Sequence, residues 1–135
     1  MKVSVYDSYV LKKEGNTMHF DILVREKMQD LETILDYGRA YLISENQEGQ
    51  PITADECKLC HIEEASEEVV SAIDKQGYYI LRMEDIPSKC PENPSRRQLI
   101  QYLRAKMPAI RFANFRDYSE EQLLDLAKQT GSLSD

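Results

Sequence analysis

The sequence predicts an α+β fold: a ββαβαβ domain, built as a small mixed sheet with two helices, followed by a two-helix module. Three observations carry that prediction. Apolar and polar residues alternate with period two through the first 25 residues, and two later stretches repeat with the period of a helix. A pair of prolines then separates this part from two further helical stretches that each carry an N-terminal cap. The expected organisation is an acidic α+β domain over residues 1–86, a linker over 87–94 and a helical appendage over 95–135.

Val3, Val5, Tyr9 and Leu11 alternate with Ser4, Tyr6, Ser8 and Val10, so residues 2–11 form the first strand. Glu14, Gly15 and Asn16 supply a turn, and Met18, Phe20, Ile22 and Val24, alternating with His19, Asp21 and Leu23, return as the second strand of a hairpin. If facing residues sum to 29, Tyr6, Ser8 and Val10 share a face with Leu23, Asp21 and His19, while Val3, Val5 and Tyr9 join Phe20, Ile22 and Val24. Leu31, Ile34, Leu35, Tyr41 and Leu42 then recur at helical spacing behind Asp30 as N-cap, which makes 31–44 the first helix. Residues 46–51 are a polar loop, and 56–63 fit a strand or a turn. Ser66, followed by Glu67 and Glu68, caps a second helix with Val69, Val70 and Ile73 inward, Gly77 stops it, and Tyr78 to Met83 is a strand. Ser95 caps a helix carrying Leu99, Tyr102, Leu103 and Met107 and ended by Pro108. Residues 109–118 are expected to be extended, and Ser119 with Gln122 forms a capping box before Leu123, Leu126 and Ala127.

Charge divides along the same boundary. Of the net charge of −7, residues 91–135 contribute +1, seven Lys and Arg against six acids, and residues 1–90 contribute −8. An acidic front domain repels phosphate backbones, so contact with nucleic acid falls to the tail. The start of the chain has no apolar stretch of a secretory signal, since Asp7 interrupts it, and no segment approaches a membrane span. A cytoplasmic protein without membrane contact is expected, with its three cysteines as thiols or metal ligands rather than disulfides.

Several stretches together resemble a known family: residues 3–10 (Val3 to Val10), Met18-His19-Phe20-Asp21, Cys57-Lys58-Leu59-Cys60-His61 with Glu63, and Gly77-Tyr78-Tyr79-Ile80. On them residues 1–84 resemble a small bacterial family known only as domain of unknown function two thousand and twenty-four. The resemblance implies a compact α/β sandwich and no established activity. That family usually ends near residue 86, so the tail is a departure from it. Through Ser95 to Leu99, Phe115-Arg116 and Tyr118 to Leu123, residues 95–129 resemble the helix, extended loop, helix modules of the LEM and SAP type, which often bind nucleic acid or protein partners.

The pattern Cys57-x-x-Cys60-His61 is that of covalent haem attachment, but attachment takes place in export compartments, which argues against haem. Zinc suits the paired thiols better, with His61 and, if the second strand lies alongside, His19 as further ligands. No cofactor is required by the sequence. A rival chemistry is thiol oxidoreduction by Cys57 and Cys60, for which Lys58 and His61 favour a thiolate while Glu56, Glu63 and Glu64 oppose it. The structural alternative treats Cys57 and Cys60 as small buried hydrophobes. Cys90, in the linker, reads as an exposed free thiol.

Two further constellations stand out. The hairpin register brings Ser8, His19 and Asp21 together as a polar face, with no nucleophile elbow or oxyanion hole to make a hydrolase of them. Asp7 falls on the apolar side of its strand and requires a partner there: a backbone N–H, a Lys or Arg, or a ligand. In the tail, Arg97, Arg104 and Arg111, with Phe112, Phe115 and Tyr118 interleaved, are the residues able to hold a nucleic-acid backbone. The function these features define is that of a cytosolic binding or interaction protein, with a protein partner or a second copy, metal, or nucleic acid as the ligand classes and no catalytic residue assigned.

Overall fold

The computed structural model describes residues 1–130. Strands β1 (Lys2–Leu11) and β2 (Thr17–Arg25) form the predicted hairpin and occupy the middle of a four-stranded sheet of order β3-β1-β2-β4. Strand β3 (Cys57–Glu64) flanks β1 and strand β4 (Tyr78–Arg82) flanks β2. Helices α1 (Leu31–Ser44) and α2 (Glu67–Gln76) complete the ββαβαβ order. Every strand pair is antiparallel, so the sheet is not mixed as the sequence reading expected.

The register also differs from expectation, and the site depends on it. Facing residues sum to 28, as in Asp7 opposite Asp21 and Tyr9 opposite His19. The cause is the five-residue loop 12–16, closed by Lys12 N–H to the Asn16 carbonyl at 2.8 Å and Gly15 N–H to the Lys12 carbonyl at 3.0 Å, with Gly15 at φ +105°. A shift of one residue moves every side chain of one strand to the opposite face relative to its partner. Ser8 therefore lies fully buried opposite Phe20, away from His19 and Asp21.

The two faces of the sheet are covered differently. On one, Val10, Met18, Phe20, Ile22 and Val24 pack against Ile34, Leu35 and Leu42 of α1, with Ile52 and Cys57 at the edge. Burying each large apolar side chain there contributes about 1.5–3 kcal/mol. Helix and sheet approach closely at Gly38, where a Cβ would stand 3.2 Å from Ile22 Cδ1 of β2 and 2.6 Å from Ile52 Cδ1 of the loop before β3. On the other face α2 covers only the half formed by Val3, Val5 and Leu23, through Val69 and Ile73. Ser66 accepts from Val69 N–H and Gly77, at φ +97°, ends the helix, as its sequence signals require.

The remaining half of that face is covered by the C-terminal part. Helix α3 (Arg96–Lys106) and helix α4 (Glu120–Gln129) begin at the predicted caps Ser95 and Ser119, each in a Ser-Gln capping box, of which the sequence reading expected only that of Ser119 with Gln122. Leu99, Tyr102, Leu103, Phe115, Leu123 and Ala127 form a second buried cluster. Cys90 is part of that cluster rather than an exposed thiol, because the chain over residues 87–94 folds back against α3. Residues 108–118 are not extended: a 3₁₀ turn over Pro108–Ile110 is followed by further turns. Among the described residues no helix is long and apolar enough to cross a membrane.

Arg111 fastens this part to the turn that leads into β3. It is 6% exposed. Its Nε donates to the Arg104 carbonyl at 2.7 Å, one terminal nitrogen to the Asp55 carbonyl at 3.0 Å and the other to the Ala105 carbonyl at 3.2 Å. Phe112 then reaches Tyr9 of β1 edge-on, with ring centroids 5.9 Å apart.

Candidate metal centre

The polar half-face is made by the odd-numbered residues of the hairpin. Asp7, Tyr9, His19 and Asp21 point the same way because the strands alternate and the register sums to an even number. His19 Nε2 and Asp7 Oδ1 are 2.6 Å apart. The His19 ring stacks on its cross-strand partner Tyr9 at 4.3 Å and 10°, which fixes the imidazole plane. One donor atom from each of Asp7, His19 and Asp21 lies within 4.8 Å of the others, and among the described residues no other group of three His, Cys, Asp or Glu converges in this way.

Two carboxylates this close cannot be ionised independently. Burial pushes the Asp21 carboxyl up, and the hydrogen bond and charge of Asp7 push it further, to about 7. Burial also pushes Asp7 up, but the His19 imidazole, with hydrogen bonds from Asp21 and Tyr9, outweighs this and holds it below the ordinary carboxylate range. The Tyr9 phenol is raised, by burial first and by Asp7 second. The cluster thus combines an ionised carboxylate, an oriented imidazole and a second carboxyl able to hold or release a proton near neutrality.

A cavity of about 420 Å³ opens above these residues, edged by Lys58 and Cys60 of the neighbouring strand β3 and walled on the far side by Gln101, Arg104 and Phe112. The tail therefore supplies part of the wall. Gln101 lines the cavity, and its amide oxygen is buried with no hydrogen-bond partner among the described residues.

The cysteine segment does not assemble with His19 and His61 into one ligand set. Cys57 pairs with Ser8 and faces α1, where it is 2% exposed, whereas Cys60 sits at a β-bulge beside Tyr6 and opens toward the cavity on the opposite face. His61 is exposed and bonds Glu63 at 2.6 Å. Burial pushes the Cys57 thiol up to about 11, and burial with Asp7 and Asp21 raises that of Cys60, the reverse of what a reactive thiolate needs.

The three arginines of the tail also part company. Arg111 is pinned as described, Arg104 donates to the carbonyls of Arg111 and Ala113 at 2.5 and 3.1 Å, and Arg97 is exposed at the rim of an adjoining cavity. Sequence reasoning had each member of the cluster, Asp7, His19 and Asp21, but not its assembly. The missing signal was parity: Asp7, Tyr9, His19 and Asp21 are all odd, and only an even register sum gives the stranded Asp7 carboxylate a partner.

A four-stranded antiparallel sheet with α1 on one face and α2 on the other defines the class, a small α+β domain carrying its polar cluster on the half-face that α2 leaves open. The chain belongs to the family described as Domain of unknown function (DUF2024), whose model matches residues 1–83. It is similar to the NMR structure of protein NE1680 from Nitrosomonas europaea, at 39% identity and a TM-score of 0.56, over 62% of this chain and 96% of that one. No protein of curated function matches. The matched family region thus contains Asp7, His19 and Asp21 and ends before α3.

Proposed function

We propose that this is a cytosolic binding protein whose ligand is a first-row divalent cation held by Asp7, His19 and Asp21. The observation that supports it is the convergence of two carboxylates and one imidazole within 4.8 Å in a walled cavity. Oxygen and imidazole donors suit zinc, manganese, cobalt and ferrous iron, and do not need the thiolates that Cys57 and Cys60 resist forming. The spacing is close to that of a loaded site. Two donors at about 2.1 Å from one ion stand about 3 Å apart at right angles and about 3.4 Å apart at the tetrahedral angle, so the Asp7 and His19 atoms need to open by less than about 1 Å from 2.6 Å. Tyr9 stacking would hold the imidazole in place during that change.

The test is calorimetric titration of Zn²⁺ and Co²⁺ into chelator-treated protein. Binding near one ion per chain, weakened at least about 100-fold in His19→Ala, is the expected result. Absence of binding, or equal binding by His19→Ala, would refute the proposal.

A further inference from the structure

We propose that the cation is half of a composite site, and that its second ligand is a small molecule carrying an oxyanion, a carboxylate or a phosphate, held by Lys58, Arg104 and Gln101. This rests on the cation reading above and names what the cation would bind.

Charge is the first argument. A divalent cation offsets the carboxylates of Asp7 and Asp21, which leaves two positive side chains at the cavity unbalanced: Lys58, the cross-strand neighbour of Asp7 on β3, and Arg104 of the facing wall. Neither has a carboxylate partner among the described residues: Lys58 Nζ lies 6.0 Å from the Phe112 ring centroid, and Arg104 stacks over Phe115 at 4.9 Å and spends one nitrogen on backbone carbonyls. Two cations converging on a partly desolvated cavity favour an anion between them.

Coordination is the second. The sheet would supply three donors, and a tetrahedral or octahedral ion held by them would have at least one more position for a ligand from the cavity. An oxyanion there would meet the ion with one oxygen and Lys58 or Arg104 with another. Gln101 is the third. Its buried amide oxygen lacks a donor among the described residues, which a metal-bound water or a protonated oxyanion would supply.

There is also room for the rest of such a molecule. A second cavity of about 520 Å³ adjoins the first, sharing His19, Met83 and Gln101, with Arg97 on its wall. Two of the three proposed oxyanion contacts, Gln101 and Arg104, come from the part of the chain beyond the family match. The ligand specificity of this member would accordingly be set by its own tail.

The experiment uses full-length protein in excess over Co²⁺, at fixed ionic strength, with inorganic phosphate titrated while the cobalt visible absorption is followed. A saturable change is expected, with its midpoint raised about tenfold in Lys58→Met and in Gln101→Leu, the loss of one hydrogen bond to a charged group. Protein in excess keeps the Co²⁺ bound in each variant, so the midpoint reads phosphate and not the cation. Lys58 is exposed, so its replacement tests the wall without disturbing a core. Cobalt that binds but ignores phosphate would overturn this inference and leave the cation site standing, as would equal midpoints in the parent and both variants. No cobalt bound to the parent would overturn both.

Discussion

Two regions of this molecule hold similar numbers of metal-binding side chains and deliver them in opposite ways. Cys57, Cys60 and His61 are close in sequence on one strand, where alternation and a bulge send Cys57 into the α1 core and Cys60 to the other face. Asp7, His19 and Asp21 are up to 14 positions apart and meet, because Asp7 faces Asp21 directly across the hairpin and His19 lies two pairs further on, on the same face. Side chains of cross-strand partners stand about 4.5–5.5 Å apart, while neighbours along a strand diverge. Proximity in sequence is thus a poor guide to convergence within a strand, and register is a good one.

The sharpest way to break this comparison is to remove one histidine from each region. His19→Ala is expected to lower Zn²⁺ affinity at least about 100-fold and His61→Ala less than about twofold, measured by calorimetry. The two cysteines should differ as well. Cys57→Ser places a hydroxyl in the α1 core and is expected to cost about 1–3 kcal/mol in urea unfolding, against less than about 0.5 kcal/mol for exposed Cys60→Ser. In native protein an alkylating reagent should label Cys60 well before Cys57.

A smaller effect distinguishes the two carboxylates. Asp21 has its pKa raised to about 7, so the folded state keeps a proton that the unfolded state loses from about pH 4 upward. Its contribution therefore grows more unfavourable between about pH 4 and 7 and is constant above. Asp21→Asn should stabilise the metal-free protein by on the order of 1 kcal/mol at pH 8, allowing for screening by solvent, with the gain vanishing near pH 4. Asp7 is depressed, so its contribution has the other sign: present above its ordinary pKa and lost as pH falls through the folded value. Denaturant unfolding of both Asn variants at pH 4 and pH 8 checks the pair.

Much of the architecture was legible in local patterns. The hairpin, the 31–44 helix, the Ser66, Ser95 and Ser119 caps and the Gly77 stop all follow from period and capping chemistry, which depend on near neighbours. Three features were not legible because each is set at a distance. The register depends on the geometry of the 12–16 loop, the burial of Cys90 on a return of the chain to α3, and the internal bonding of Arg104 and Arg111 on carbonyls that converge only after α3 has ended. Asp7 was legible as a residue in need of a partner, and His19 proved to be that partner.

The chain contains two histidines, one in each region, which allows a single spectrum to decide between them. Long-range ¹H–¹⁵N correlation of the imidazole nitrogens, recorded on the full-length protein as Zn²⁺ is added to one equivalent, reads both at once. A displaced ring-nitrogen resonance for His19 with His61 unchanged is the predicted result. Displacement of His61 instead, or of neither ring, would contradict the assignment of the cation to Asp7, His19 and Asp21.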